Sequence, residues 1–403
     1  MNTFRLLLFS GLTIVLLGCH NDEERKEKLS CEASSTCPAP IVKLAGTAAT
    51  GVGIDEGTIE VFDGSGNKFD ATATTNESGN FVVEFNGEIP VPIQLVITDN
   101  EGNKLTTVIT DSETTVANIN PITDYVAQSL LADNALDQLS NDDIDNAGQT
   151  VVESLLGEGA DYDAFATQEF VAKTSASDFA TTASAADVLL DSIAEAAVGQ
   201  DIASLIEETV NSESTLLSSP EFVVSVASNI AMINGDDVNL ADVFNANETP
   251  SEVTDQLADV NVFQQTAEAV IEQVSQTQGL NDEQKAATSA GILDIIESAA
   301  VKQEALSQSE IESISDNVVE NLLEDVVRTV QSPEAQQLSA DELLAAVSNT
   351  AEQIVDTIDE KGVDLSDDNV DLSTVKAEVA SVKIVIENTT DWGNAKWDKL
   401  VWQ

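Results

Sequence analysis

A chain of 403 residues exceeds one ordinary domain, and its 42% hydrophobic content is enough to build cores that 4% aromatics must leave largely aliphatic. With 72 acidic against 16 basic residues the formal net charge is −56, and Lys173 is the only basic residue between Lys104 and Lys285. That balance excludes nucleic acid as a natural partner, because phosphate binding needs clustered Lys and Arg, and it opposes direct adhesion to an anionic lipid surface.

The first element is an apolar run, Leu6 to Leu17, behind the charged amino terminus and Arg5; it closes on Leu16-Leu17-Gly18-Cys19. The run is shorter than the roughly 20 residues that span a bilayer, so residues 1–18 read as an export signal. The tetrapeptide resembles the lipobox of bacterial lipoproteins, although Leu17 stands where a smaller residue is commoner. The resemblance implies cleavage before Cys19, which then becomes the first mature residue and carries a covalent lipid. The alternatives are an ordinary secretory signal or a membrane-spanning helix.

Residues 19–40 are polar, charged and Ser/Pro-containing, which fits a flexible tether. His20 directly after the cysteine resembles the outer-membrane pattern of lipoproteins rather than the inner-membrane one, where aspartate follows. Asp22-Glu23-Glu24 resembles an acidic surface-export signal. Cys31 and Cys37 remain as a pair in this tether, and in an oxidising compartment they are expected to close a small disulfide loop. The alternative redox or metal role lacks Cys-x-x-Cys spacing and a histidine partner.

From 41 to 120 short β-type runs alternate with turn clusters, predicting a small sandwich. Seven strands are expected, at 42–48, 58–62, 68–75, 81–85, 93–98, 105–109 and 115–119. Alternation is clear at Phe81, Val83 and Phe85, and at Ile93, Leu95 and Ile97. Turns are expected at Asp63-Gly64-Ser65-Gly66-Asn67, Asn76-Glu77-Ser78-Gly79-Asn80 and Asp99-Asn100-Glu101-Gly102-Asn103, where Gly and Asn accept positive φ. Leu44-Ala45-Gly46-Thr47-Ala48 and Thr74-Thr75-Asn76-Glu77-Ser78-Gly79-Asn80-Phe81 resemble the carboxypeptidase regulatory-like and bacterial immunoglobulin-like modules of exported proteins. The resemblance implies an immunoglobulin-like or transthyretin-like all-β sandwich that acts as a spacer or stabiliser, and it carries over no catalytic residue.

Asn120-Pro121-Ile122-Thr123-Asp124 opens a larger, acidic, all-α region over 121–387, as in similar lipoproteins of unknown function. Apolar residues there take helical spacing, as in Ile311, Ile314, Val318, Leu322 and Val326, widened by Val319, Leu323 and Val330 into a core-facing stripe. One start signal recurs: a leucine, a Ser or Asn cap, then acids or amides, at Leu139-Ser140, Leu280-Asn281, Leu306-Ser307, Leu338-Ser339 and Leu365-Ser366. Irregular spacing between copies favours a helical bundle or irregular helical array over a stacked repeat. Residues 388–403 form a tail holding Trp392, Trp397 and Trp402. They are candidate partner-binding residues for a protein or a glycan, or plugs for an aromatic-poor core.

Chemistry is sparse. His20 is the only histidine, which removes Ser/His/Asp and Cys/His catalysis and His-based metal centres from the folded body. No Gly-rich phosphate loop occurs, and paired carboxylates are the one enzymatic option left. Acids crowd Asp359, Asp364, Asp367, Asp368 and Asp371, but the spacing does not reproduce an EF-hand and helix capping explains Ser366 to Asn369. No metal site and no cofactor beyond the lipid on Cys19 is therefore expected, with calcium left unsupported. The expectation is a non-enzymatic binding or structural lipoprotein of the cell envelope, anchored at the outer membrane and facing the periplasm or the surface. A carboxylate-based cation binder or periplasm-facing enzyme is the alternative.

Overall fold

The computed structural model describes residues 40–174, 183–197, 201–212, 214–233, 238–302, 308–367, 370, 372–373 and 375–376. Six strands come first: β1 (Ile41–Thr47), β2 (Thr58–Asp63), β3 (Lys68–Thr74), β4 (Asn80–Asn86), β5 (Ile93–Thr98) and β6 (Lys104–Ile109). A four-stranded antiparallel sheet runs in the order β3-β2-β5-β6, and β1 pairs with β4 in a second sheet.

Alternation fixes which face is buried. Phe81, Val83 and Phe85 of β4 point inward while their neighbours are exposed, and they meet Ile93, Leu95 and Ile97 of β5 with Leu44, Ile59 and Val61 in one sandwich-like core. The three predicted turns share one device. Asp63 Oδ1 accepts from Ser65 N and Asn67 N at 2.9 and 2.8 Å, and Asp99 Oδ1 accepts from Glu101 N and Asn103 N at the same two distances. Asn76 Oδ1 takes the equivalent bonds from Ser78 N and Asn80 N. Each turn places a glycine at positive φ, Gly66, Gly79 and Gly102, where a side chain would be strained.

The seventh expected strand is not a strand. Residues 115–119 lie parallel against β1 through isolated bridges, Ala45 to Val116 and Ala48 to Ile119. The ladder breaks because Asn118 turns its groups elsewhere: its N–H donates to Ala166 O at 2.8 Å and its Oδ1 accepts from Thr47 N at 3.1 Å.

Ten helices follow among the described residues: α1 (Pro121–Asp133), α2 (Asn141–Leu156), α3 (Asp163–Ala166), α4 (Ala185–Ala196), α5 (Ile202–Val210), α6 (Pro220–Met232), α7 (Ser251–Ser275), α8 (Asp282–Lys302), α9 (Gln308–Val330) and α10 (Ala340–Lys361). Capping sets several starts. Asn120, Ser140 and Ser339 form reciprocal capping boxes with Thr123, Asp143 and Glu342, and Asn281 exchanges bonds with Gln284 in the same way. The Leu306-Ser307 copy lies outside the described residues, and at Leu365-Ser366 the observed feature is a turn, with Ser366 N donating to Asp364 Oδ1. Gly362 ends α10 in the left-handed conformation.

The array is irregular, with α8 packed against α6, α7, α9 and α10. Ile311, Ile314, Val318, Leu322 and Val326 are buried as their spacing requires, within a continuous core that also holds Leu155, Phe165, Leu189 and Phe222. No helix among the described residues is long and apolar enough to cross a membrane.

Strands and helices have separate hydrophobic clusters but belong to one compact unit. Polar bonds stitch them together: Gly53 N donates to Lys173 O at 2.9 Å, Asn120 Nδ2 donates to Phe165 O at 2.8 Å, and Thr47 Oγ1 lies 3.0 Å from Phe170 O.

Candidate functional site: a buried ionic seam

Asp187, Asp191 and Glu195 recur every fourth residue along α4 and so share one face. Glu221, Ser225 and Asn229 do the same on α6. The two helices meet in opposite directions, and Lys173, on the extended segment after α3, inserts its side chain between them.

Lys173 is held at every polar atom. Its N–H donates to Asp187 Oδ2 at 3.0 Å and its carbonyl accepts from Gly53. Its Nζ pairs with Asp191 Oδ2 and donates to Asn229 Oδ1 at 3.3 Å. Asn229 Nδ2 donates to Glu195 Oε2 at 3.0 Å and approaches Ser192 Oγ at 3.2 Å, while Ser225 Oγ donates to the same Glu195 oxygen. Asp187 and Ser192 are 0% exposed, Asn229 1%, Lys173 7% and Asp191 8%. A charged pair so deep is a weak source of net stability, but removing one partner strands the other at a cost of about 3–5 kcal/mol.

Carboxyl groups here outnumber cations, and their titration reflects it. Burial pushes Asp187 well above the usual carboxylate range, with Asp191 adding repulsion against the bond from Lys173 N–H. Among the described residues Asp187 Oδ1 finds no hydrogen-bond partner, as fits a carboxyl that keeps its proton. On α8, burial lifts Asp294 to about 6 against the bond from Ser348, and burial with repulsion from Glu195, Asp294 and Glu221 lifts Glu297 well above its ordinary value. Glu195 is pushed up to about 8, first by the surrounding protein and then by Asp191. Its side chain nevertheless reaches solvent at one end of the seam, and water there screens part of that effect.

The seam holds an amine, a carboxamide and carboxyl groups within hydrogen-bond reach of one another. Among the described residues, no three His, Cys, Asp or Glu side chains converge to hold a metal ion, and the cation between α4 and α6 is the lysine itself. In the acidic stretch that begins in the last turn of α10, Asp359 pairs with Lys302 at 3.0 Å and, beyond the helix, Asp364 closes its own turn. A separate cleft of about 460 Å³ is lined by Gln168, Glu169, Ser184, Asn239 and Asp242, and its rim borders stretches outside the described residues.

Cys19, Cys31, Cys37, Trp392, Trp397 and Trp402 all lie outside the described residues. The seam residues are not among the sites expected from sequence. One signal pointed there: Lys173 is alone among acids over a very long stretch. The class defined by fold and site is a β-rich region followed by a helical array, stitched through a buried ionic seam. The chain matches no protein family, no curated protein and no solved structure.

Proposed function

We propose that this is a lipid-anchored protein of the bacterial cell envelope, held at the outer membrane through Cys19, with a binding or structural role rather than a catalytic one. The observation that carries the reading is Leu16-Leu17-Gly18-Cys19 closing a short apolar run behind Arg5. The non-enzymatic part draws support from the seam, whose polar groups turn toward one another in the interior instead of lining a substrate cleft. The dispersed acids keep the exterior hydrated and self-repelling.

Feeding cells a radiolabelled fatty acid tests the anchor. Wild-type protein takes up label and sediments with outer membranes, whereas Cys19→Ala takes up none and becomes soluble; equal labelling of both proteins refutes the anchor. Protease treatment of intact cells then separates a surface from a periplasmic placement. For partner binding, the combined Trp392→Ala, Trp397→Ala and Trp402→Ala protein keeps its melting temperature and loses its partner. Unfolding of that triple variant assigns the tryptophans to the core instead.

A further inference from the structure

The groups around Lys173 are those needed for a condensation. Its Nζ rests against the Asp191 carboxylate and donates to Asn229 Oδ1 at 3.3 Å, so the amine is held by the base on one side and by the carbonyl oxygen of the carboxamide it would attack on the other. On the far side of that carboxamide, Nδ2 lies 3.0 Å from Glu195 Oε2. Asn229 itself is almost fully buried, which keeps competing water away from its carbonyl carbon.

We propose that Lys173 and Asn229 condense into an intramolecular isopeptide bond, with Asp191 as the base for the amine and Glu195 as the proton shuttle to the departing amide nitrogen.

The step balances within the seam. The Lys173 ammonium passes one proton to the Asp191 carboxylate, and the free amine attacks Asn229 Cγ to form the new C–N bond. A half-turn of the Glu195 carboxyl brings its proton to Nδ2, the Cγ–Nδ2 bond breaks, and ammonia leaves. Glu195 recovers a proton from the attacking nitrogen, which ends as a neutral amide. No oxidant or co-reactant is needed, and an ion pair is replaced by an amide and a protonated Asp191. Glu195 suits the shuttle because its Oε2 already lies 3.0 Å from the departing Nδ2, and because its solvent-facing end gives ammonia an exit. Asp187, buried beside the pair with an oxygen that has no hydrogen-bond partner among the described residues, adds a further carboxyl.

The bond ties the segment that touches Val52 and Gly53 to α6, across 56 residues of chain. It is independent of the anchor and of the compartment.

The test is peptide mapping of the full-length wild-type chain, denatured and cut by an Asp/Glu-specific protease. The expected result is a branched peptide joining Lys173 to Asn229, lighter than its two arms together by one ammonia. Lys173→Arg supplies the uncrosslinked reference. Glu195→Gln, at a solvent-reaching position, is expected to keep the helical circular dichroism and lose the branch. Linear peptides with a free Lys173 in the wild type overturn the proposal, and so does a branch to Asp191 lighter by one water. A full-strength branch in Glu195→Gln overturns the role of Glu195.

Discussion

Replacing Asp294 with Asn isolates the energetic consequence of placing a carboxylate against the seam. Asp294 Oδ2 accepts from Ser348 Oγ at 2.9 Å, which joins α8 to α10, and an Asn carbonyl can accept the same bond. Burial lifts the folded pKa from 3.8 to about 6. Because the folded value is the higher one, the folded state binds more protons than the unfolded state between those limits. Stability is therefore greatest below about pH 3.8 and falls as pH rises to about 6, after which this contribution is constant. Two pKa units at about 1.4 kcal/mol each give a loss of ~3 kcal/mol by pH 7. Asn carries no such charge, so Asp294→Asn matches the wild type near pH 4 and exceeds it by ~3 kcal/mol at pH 7. The general repulsion of a chain at −56 acts on both proteins and largely cancels in the difference. Urea unfolding followed by far-ultraviolet circular dichroism from pH 4 to pH 7.5 measures it. A difference that stays flat with pH, or a variant weaker than the wild type at pH 7, refutes the reasoning.

Three further substitutions probe the stitching of strands to helices. Gly51→Ala introduces a side chain at φ +110°, with Cβ only 2.5 Å from Asp191 Cα, and is expected to lower stability by about 2 kcal/mol or more in denaturant titration. Relative to Lys173→Arg, which keeps the charge and cannot condense, Lys173→Met strands Asp191 and is expected to destabilise by about 3–5 kcal/mol, with Lys173→Met plus Asp191→Leu regaining most of it. Calorimetric melting of the single and double variants decides whether the charge or the packing matters. Asn120→Ala removes an oxygen that accepts from Ile122 N and Thr123 N, together with the donor to Phe165 O. A loss of about 2–3 kcal/mol is expected, with hydrogen exchange fastest at the start of α1.

Local chemistry was legible in the sequence. The alternating faces of β4 and β5, the three Asx-type turns and the capping boxes at Ser140, Asn281 and Ser339 depend on residues a few positions apart, and each is found in the structure. Residues 115–119 were misread as a strand because the partner that diverts Asn118, Ala166, is remote in sequence. The seam was illegible for a related reason. Asp187 and Asp191 look like part of the wet face of an amphipathic helix, yet every residue from Ala185 to Ile193 is buried and only Glu195 on that face reaches solvent. What turns that face inward is Lys173 and Asn229, and nothing in the sequence of α4 announces either.

The contact between Thr47 and Phe170 spans 123 residues, and it puts synthesis and folding on different clocks. A ribosome adding about 5–20 residues per second needs roughly 6–25 s after making β1 before the carbonyl of Phe170 exists. Until residues 115–119 come to lie against it β1 has an open edge, able to pair with another nascent chain, and its bond to the carbonyl of Phe170 waits the full interval. A holding chaperone that shields the first strands until Phe170 has emerged would therefore raise the yield of native protein more than one acting after release.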